Sequence, residues 1–276
     1  ANTFIGTGAG DATTTNSNNT FIGTDAGGAN TAANNTFIGA NAGLLNTTGT
    51  ANTFMGQGAG DATTTTSNNT FIGKDAGGTN KASDNTFVGS GAGANSADVG
   101  ANSNTFVGKN AGLNNVGHQC TFIGANAGQA NQSGFNSFLG YNAGTANSTG
   151  SQNTFIGYNC GPANVGGLYN TFLGATAGEA STANSNTLIG AYAGQLTAGG
   201  GDNTFVGYNA GQINVTGTLN TSIGSGATFS ANNQTNSTAL GSGATCSASN
   251  KVRIGNATIT VVEGQVAYSF PSDGRF

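Results

Sequence analysis

The chain has 276 residues, of which only 6% are charged and 49 are Gly, while Trp is absent and Pro occurs twice. Its formal net charge of −4 comes from thinly scattered residues, so no basic stripe exists to neutralise a phosphate backbone, and nucleic acid is not an expected partner. No apolar run approaches the roughly 20 residues that carry a helix across a bilayer, and no basic amphipathic helix is visible, so membrane insertion is not expected either.

The repeat starts at the first residues, "ANTFIGTGAG", which places any targeting or anchoring segment outside this stretch. From there Thr-Phe-Ile-Gly returns with Phe at 4, 21, 37, 54, 71, 87, 106, 122, 138, 155 and 172, then Leu188 and Phe205, with Ser222 and Ala239 continuing the phase. The steps are 16 or 17 residues, with one of 19 at "ANSADVGANS". A short fixed period is the signature of a solenoid. Residues 1–50 also align without a gap on 51–100, a block duplication that a solenoid accepts because each coil touches only its neighbours.

The coil reads as β. Thr, Phe and Ile or Val favour strands, Gly and Asn punctuate them, and no stretch carries apolar residues at helical spacing. Each coil is expected to hold a short strand N-T-F-I, a Gly bend, a segment ending at Ala-Gly, and a polar return. At about 3.3 Å per residue, 17 residues close a ring of at most roughly 56 Å, which has room for one large side chain per rung. Side chains alternate along a strand, so Asn and Phe share one face and Thr and Ile the other. Phe is placed inside against the small Ala, with Asn bonding along the stack.

The aliphatic row then faces outward: Ile5, Ile22, Ile38, Met55, Ile72, Val88, Val107, Ile123, Leu139, Ile156, Leu173, Ile189, Val206 and Ile223. Such a stripe exceeds what a monomer ordinarily exposes. Burying one Ile contributes about 1.5–3 kcal/mol, so the row is expected to be covered by sister copies in a homotrimer, with Ile5, Ile22, Ile38, Ile72, Ile123, Ile156 and Ile189 at the interface. At about 4.8 Å per coil, fifteen coils make a rod on the order of 70 Å long.

The tandem "NTFIGxxAGxxN" coils resemble repeats of bacterial and phage tail-fibre-like surface proteins and, more distantly, the trimeric β-roll of autotransporter adhesin heads, to which "NSTALGSGATCSASN" (236–250) is especially similar. The end, "NKVRIGNATITVVEGQVAYSFPSDGRF", resembles the segment leading into the intramolecular chaperone domain of endosialidase-type tail spikes. That resemblance implies trimerisation and self-cleavage beside a Ser-Asp pair, matched by Ser272 and Asp273, while the family's catalytic Lys has no match in this stretch. Five of the sixteen charges fall in the last 26 residues, and "RIGNATITVVEGQVAYSF" alternates like a strand pair. The expected organisation is a shaft over 1–255 and a transition segment over 256–276.

Few residues suggest chemistry. His118, the only His, has no carboxylate or Cys cluster beside it, so neither catalysis nor metal binding is expected. Asp11 and Asp61 follow "GAGD", but neighbouring coils carry no acidic residue in that place, unlike calcium-binding repeats. Cys120, Cys160 and Cys246 lack metal or disulfide spacing, and the first two read as small buried substitutes for Asn and Ala. "GTGAG" and "GQGAG" lack the following helix and Lys of a phosphate loop.

Tyr141, Tyr158 and Tyr208 follow the strand Gly, with Tyr192 one place later. These rings are candidate glycan contacts, against the plainer reading that they stabilise neighbouring rungs. The Thr row beside Ile is expected to form an inter-chain or inter-rung ladder, and in a monomer it could instead order water and bind ice. The reading is therefore an all-β solenoid of about fifteen coils, extracellular, on a cell surface or virion, without enzymatic activity or cofactor. Its expected partners are its own copies and a cell-surface glycan or receptor, and a monomeric ice- or surface-binding solenoid is the alternative.

Overall fold

The computed structural model describes residues 1–263, so Ser272 and Asp273 lie outside the described residues. It is an all-β parallel solenoid of about fifteen turns without helix among the described residues. The three-residue strands run from Thr3–Ile5 to Val252–Ile254 and form one 16-stranded sheet in which each strand pairs with that of the next coil. Pairing is parallel and in register, Thr on Thr, Phe on Phe and Ile on Ile, as at Thr20↔Thr36, Phe21↔Phe37 and Ile22↔Ile38.

The interior is the aromatic column the alternation predicts. Eleven rings from Phe4 to Phe172 stack coil on coil with centroids 4.7–5.1 Å apart. All but Phe4, which sits in the first coil, are buried. Each ring lies over the Ala-Gly turn across the coil, and that turn cannot carry another Cβ: at Gly77 (φ +61°) one would come within 2.4 Å of the Phe71 ring. The Gly after each strand stacks on its own counterpart, so a Cβ at Gly73 (φ +135°) would meet the Gly89 carbonyl at 2.5 Å. Glycine is required at both places by space as well as by φ.

Asn at the strand start bonds along the stack as expected. The Oδ1 of Asn19 accepts the Asn35 N–H at 2.9 Å, Asn35 serves Asn52 in the same way, and Asn52 serves Asn69. A second buried polar column, including Asn30, Asn131 and Asn147, adjoins the first, since the Asn35 amide donates to Asn30 Oδ1 at 3.1 Å. Amides of this column bond each other and the carbonyls of the return, although those of Asn46 and Asn164 find no partner among the described residues. These amides keep a coil that is too small for a wide apolar core from burying bare backbone polar groups.

The corner before each strand takes a left-handed conformation at non-Gly residues, from Asn18 (φ 64°) to Asn250 (φ 59°). Asn and Asp tolerate that region best, yet Phe135, Tyr169 and Leu219 adopt it as well, with exposed side chains.

Where Ser222 replaces Phe, the interior is refilled from the far wall by Phe229, whose ring lies 5.7 Å from that of Phe205 and is fully buried. Cys246 similarly stands across from Ala239, and their strands Thr228–Phe229 and Thr245–Cys246 form a second, two-stranded sheet. The alternating stretch after Arg253 departs from the expected strand pair: Val252–Ile254 joins the solenoid sheet as its last rung, and residues 256–263 form no strand.

Phe106→Ala opens a cavity between two stacked neighbours and is expected to cost about 3–5 kcal/mol. Phe135→Asn, which removes an exposed bulky side chain from a left-handed corner, should be neutral or stabilising. Denaturant unfolding followed by circular dichroism measures both. Equal losses from the two variants would contradict the placement of the rings.

Candidate functional site

Three surface features could act on something outside the chain: the strand face, a set of tyrosines beyond the Gly bend, and the acidic corner near Asp61. On the strand face, Thr and the aliphatic residue both point outward and Phe between them points in. On one chain Ile22, Ile38, Ile72, Ile156 and Ile189 are half-buried, while Ile5, at the end of the stack, and Ile123 are exposed. Met55, Leu139 and Leu173 are exposed as well, at 42–45%. The stripe also continues past the expected residues through Leu240 and Ile254. Rung-to-rung contact therefore covers only part of each side chain.

At one end of this stripe the chain turns back beside it, and the last rungs stay exposed. Ile259, Val261 and Val262 line a recess with Ile223, Leu240 and Ile254, and Ile259 lies against Gly255, where an added Cβ would meet it at 2.4 Å. Sequence periodicity could not show this, because the return belongs to no repeat.

The strand threonines behave differently from one half of their expectation. Hydroxyls of the polar return do bond from coil to coil, as Thr31 to the Thr47 carbonyl and Thr47 to that of Thr64. Those of the strands, from Thr3 to Thr238, make no such bond among the described residues, so there is no inter-rung hydroxyl ladder on this face. The geometric reason is that the in-register strand carbonyls and N–H groups are already engaged with each other.

Beyond the Gly bend, Tyr141 and Tyr158 stack at 5.7 Å with planes 10° apart, and Tyr192 and Tyr208 meet at 5.9 Å and 85°. All four are exposed. The expected rung-stabilising pairs therefore exist, and the row is interrupted between Tyr158 and Tyr192.

His118 packs edge-on against Phe135 at 4.9 Å, and no group of three or more His, Cys, Asp or Glu is placed to hold a metal among the described residues. Asp61 sits in the duplicated block near Asp75, and burial, with a smaller contribution from the Asp75 carboxylate, raises its carboxyl above the usual range. Lys74 pairs with Asp75 at 2.6 Å on the open surface, a contact of little energetic weight.

All three cysteines are free and buried. Burial pushes the Cys120 thiol up to about 11 and the Cys160 thiol to about 12, so both are protonated and unreactive at neutral pH. Cys120 also interrupts the Asn column: its N–H bonds Asn104 Oδ1 at 2.8 Å, but the N–H of Asn136 faces sulfur where an amide oxygen stands in other coils.

Among models of protein families and among curated proteins, none matches this chain.

Cys120→Asn completes the amide column, giving the Asn136 N–H a full-strength acceptor, and is expected to raise stability by about 1 kcal/mol. Chemical unfolding of the variant beside the parent chain tests this. Unchanged or reduced stability would show that the column is not a stabilising network.

Proposed function

We propose that this chain is the shaft of an extracellular or virion-borne attachment filament, a homotrimeric rod without catalysis in this region, in which the aliphatic stripes of sister copies cover one another. One observation carries the reading: an unbroken outward row of Ile, Val, Leu and Met from Ile5 to Ile254, half-buried to exposed along its whole length. A row of this length is more apolar surface than a monomer ordinarily leaves in water. At its end Ile259, Val261 and Val262 add further exposed apolar surface beside Leu240 and Ile254. The resemblance of the repeats to tail-fibre and adhesin coils points to the same role, and to a surface or virion location. In a three-fold rod the interface would be heterologous and close into a ring, built from Ile5, Ile22, Ile38, Ile72, Ile123, Ile156 and Ile189 of each copy.

A second reading is favoured by the strand threonines. Their hydroxyls make no hydrogen bond among the described residues and stand in a row beside the aliphatic stripe, a regular array that a monomer could present to ice or another ordered surface. In the trimer the same hydroxyls lie at the edge of the interface, free to bond between chains.

Because the native thiols are buried, a single introduced cysteine reports proximity between copies. Ile72→Cys should form disulfide-linked pairs of chains on mild oxidation, whereas Thr31→Cys, on the exposed return segment, should not. Absence of linked chains from Ile72→Cys, with normal circular dichroism, would contradict the stripe as an interface.

A further inference from the structure

In the column immediately after the strand glycine, aromatic residues occupy three coils, Tyr141, Tyr158 and Tyr208, and the two coils between Tyr158 and Tyr208 carry Ala175 and Ala191. Tyr141 covers one face of Tyr158, as their stacking at 5.7 Å shows. The other face of Tyr158 looks along the column over Ala175. The far wall of the gap is Tyr192 with Tyr208, two rings turned 85° to each other. The result is a recess one coil wide, over Ala175, with Tyr158 on one side and Tyr192 with Tyr208 on the other.

Its dimensions follow from the stack. At about 4.8 Å per coil, the coils of Tyr158 and Tyr192 lie roughly 10 Å apart, which after the thickness of the rings leaves room for one pyranose ring. Were the tyrosines only a rung-stabilising ladder, consecutive coils would serve best. Two Ala at the middle positions instead leave ring faces uncovered, with Tyr158 and Tyr208 each 55% exposed.

The rim supplies hydrogen bonding without positive charge. Asn159 follows Tyr158 directly. Glu179 and Gln195, joined at 2.6 Å, stand one tight turn after Thr176 and Tyr192, and the Gln195 N–H bonds the Tyr192 carbonyl at 3.3 Å. The lysines of the tyrosine column, Lys74 and Lys109, lie in other coils. Aromatic faces for the C–H side of a sugar and amide and carboxylate groups for its hydroxyls suit a neutral hexose. A phosphate or sulfate would meet only Glu179.

We infer that the recess between Tyr158 and Tyr208 is a lateral binding site for a neutral pyranose unit of a glycan. It deepens the attachment role by naming the chemistry of what is held, but it needs the side chains of one chain only and stands whether the rod is single or trimeric.

The chain has no Trp, so tyrosine emission reports this surface directly. The full chain is applied to a printed array of neutral hexose and N-acetylhexosamine oligosaccharides, and any glycan retained is titrated against tyrosine emission. Sedimentation of the same samples records the assembly state, so failure of the trimer and failure of the site are distinguished. We expect saturable quenching by a neutral glycan, weakened about tenfold or more in Tyr158→Ala and Tyr208→Ala. It should be unchanged in Tyr169→Ala, which removes an exposed ring at a corner elsewhere on the coil. Retention of no neutral glycan, or binding by Tyr158→Ala and Tyr208→Ala equal to the parent, would overturn the inference.

Discussion

In-register stacking governs every other feature of this molecule. Because each strand pairs Thr on Thr, Phe on Phe and aliphatic on aliphatic with the next coil along most of the chain, a residue is favoured where it can sit directly above one of its kind at about 4.8 Å. Phenyl rings satisfy this by stacking, amides by bonding head to tail, and glycines by lying backbone on backbone. Charges do not, since like charges directly opposite on paired strands repel. A charged fraction of 6% in a chain of 276 residues follows from that rule more simply than from any property of a ligand. Where the interior changes character, at Ser222 and Ala239, the residue seven places later is buried from the far wall: Phe229 replaces the missing ring in the first case, and the much smaller Cys246 stands there in the second. The wall that supplies the interior can thus change from one coil to the next.

Much of this was legible in the residues. The period, the strand at Thr-Phe-Ile, the inward Phe and the bonding Asn all follow from alternation and spacing, because a solenoid repeats one local solution many times. Reading Cys120 and Cys160 as small buried substitutes was also correct. What escaped was non-repetitive. Phe229 lies outside the phase of the strand Phe, so its role as a filler appears only once the opposite wall is placed. The left-handed corners were hidden because bulky residues such as Phe135 and Tyr169 disguise a position that Asn and Asp occupy elsewhere. The return of residues 259–262 beside the stripe depends on a segment without a repeat to predict it. The strand threonines were expected to ladder within or between chains, and the first option fails because the backbone groups they would need are already paired.

The outward surface carries the functional weight. Two of its columns are unlike the rest of the polar coil: a long aliphatic row that no element among the described residues covers, and a short aromatic set with a two-coil gap. The first has the form of a contact that repeats along the entire length, as between parallel rods. The second is local, confined to the coils around Tyr158 and Tyr208, as suits recognition of a small unit. A stiff shaft of stacked coils would separate these tasks in space, with length set by copy number and recognition set by a few substitutions in one column.

Cover of the aliphatic row by sister copies is the central claim, and sedimentation equilibrium of the unmodified chain tests it most directly. The account predicts a stable species of three times the 26.8 kDa chain mass, persisting at high dilution and in high salt because the contact is apolar. A monodisperse species at the single-chain mass would contradict it and leave the bare threonine and isoleucine face as a surface-binding plane.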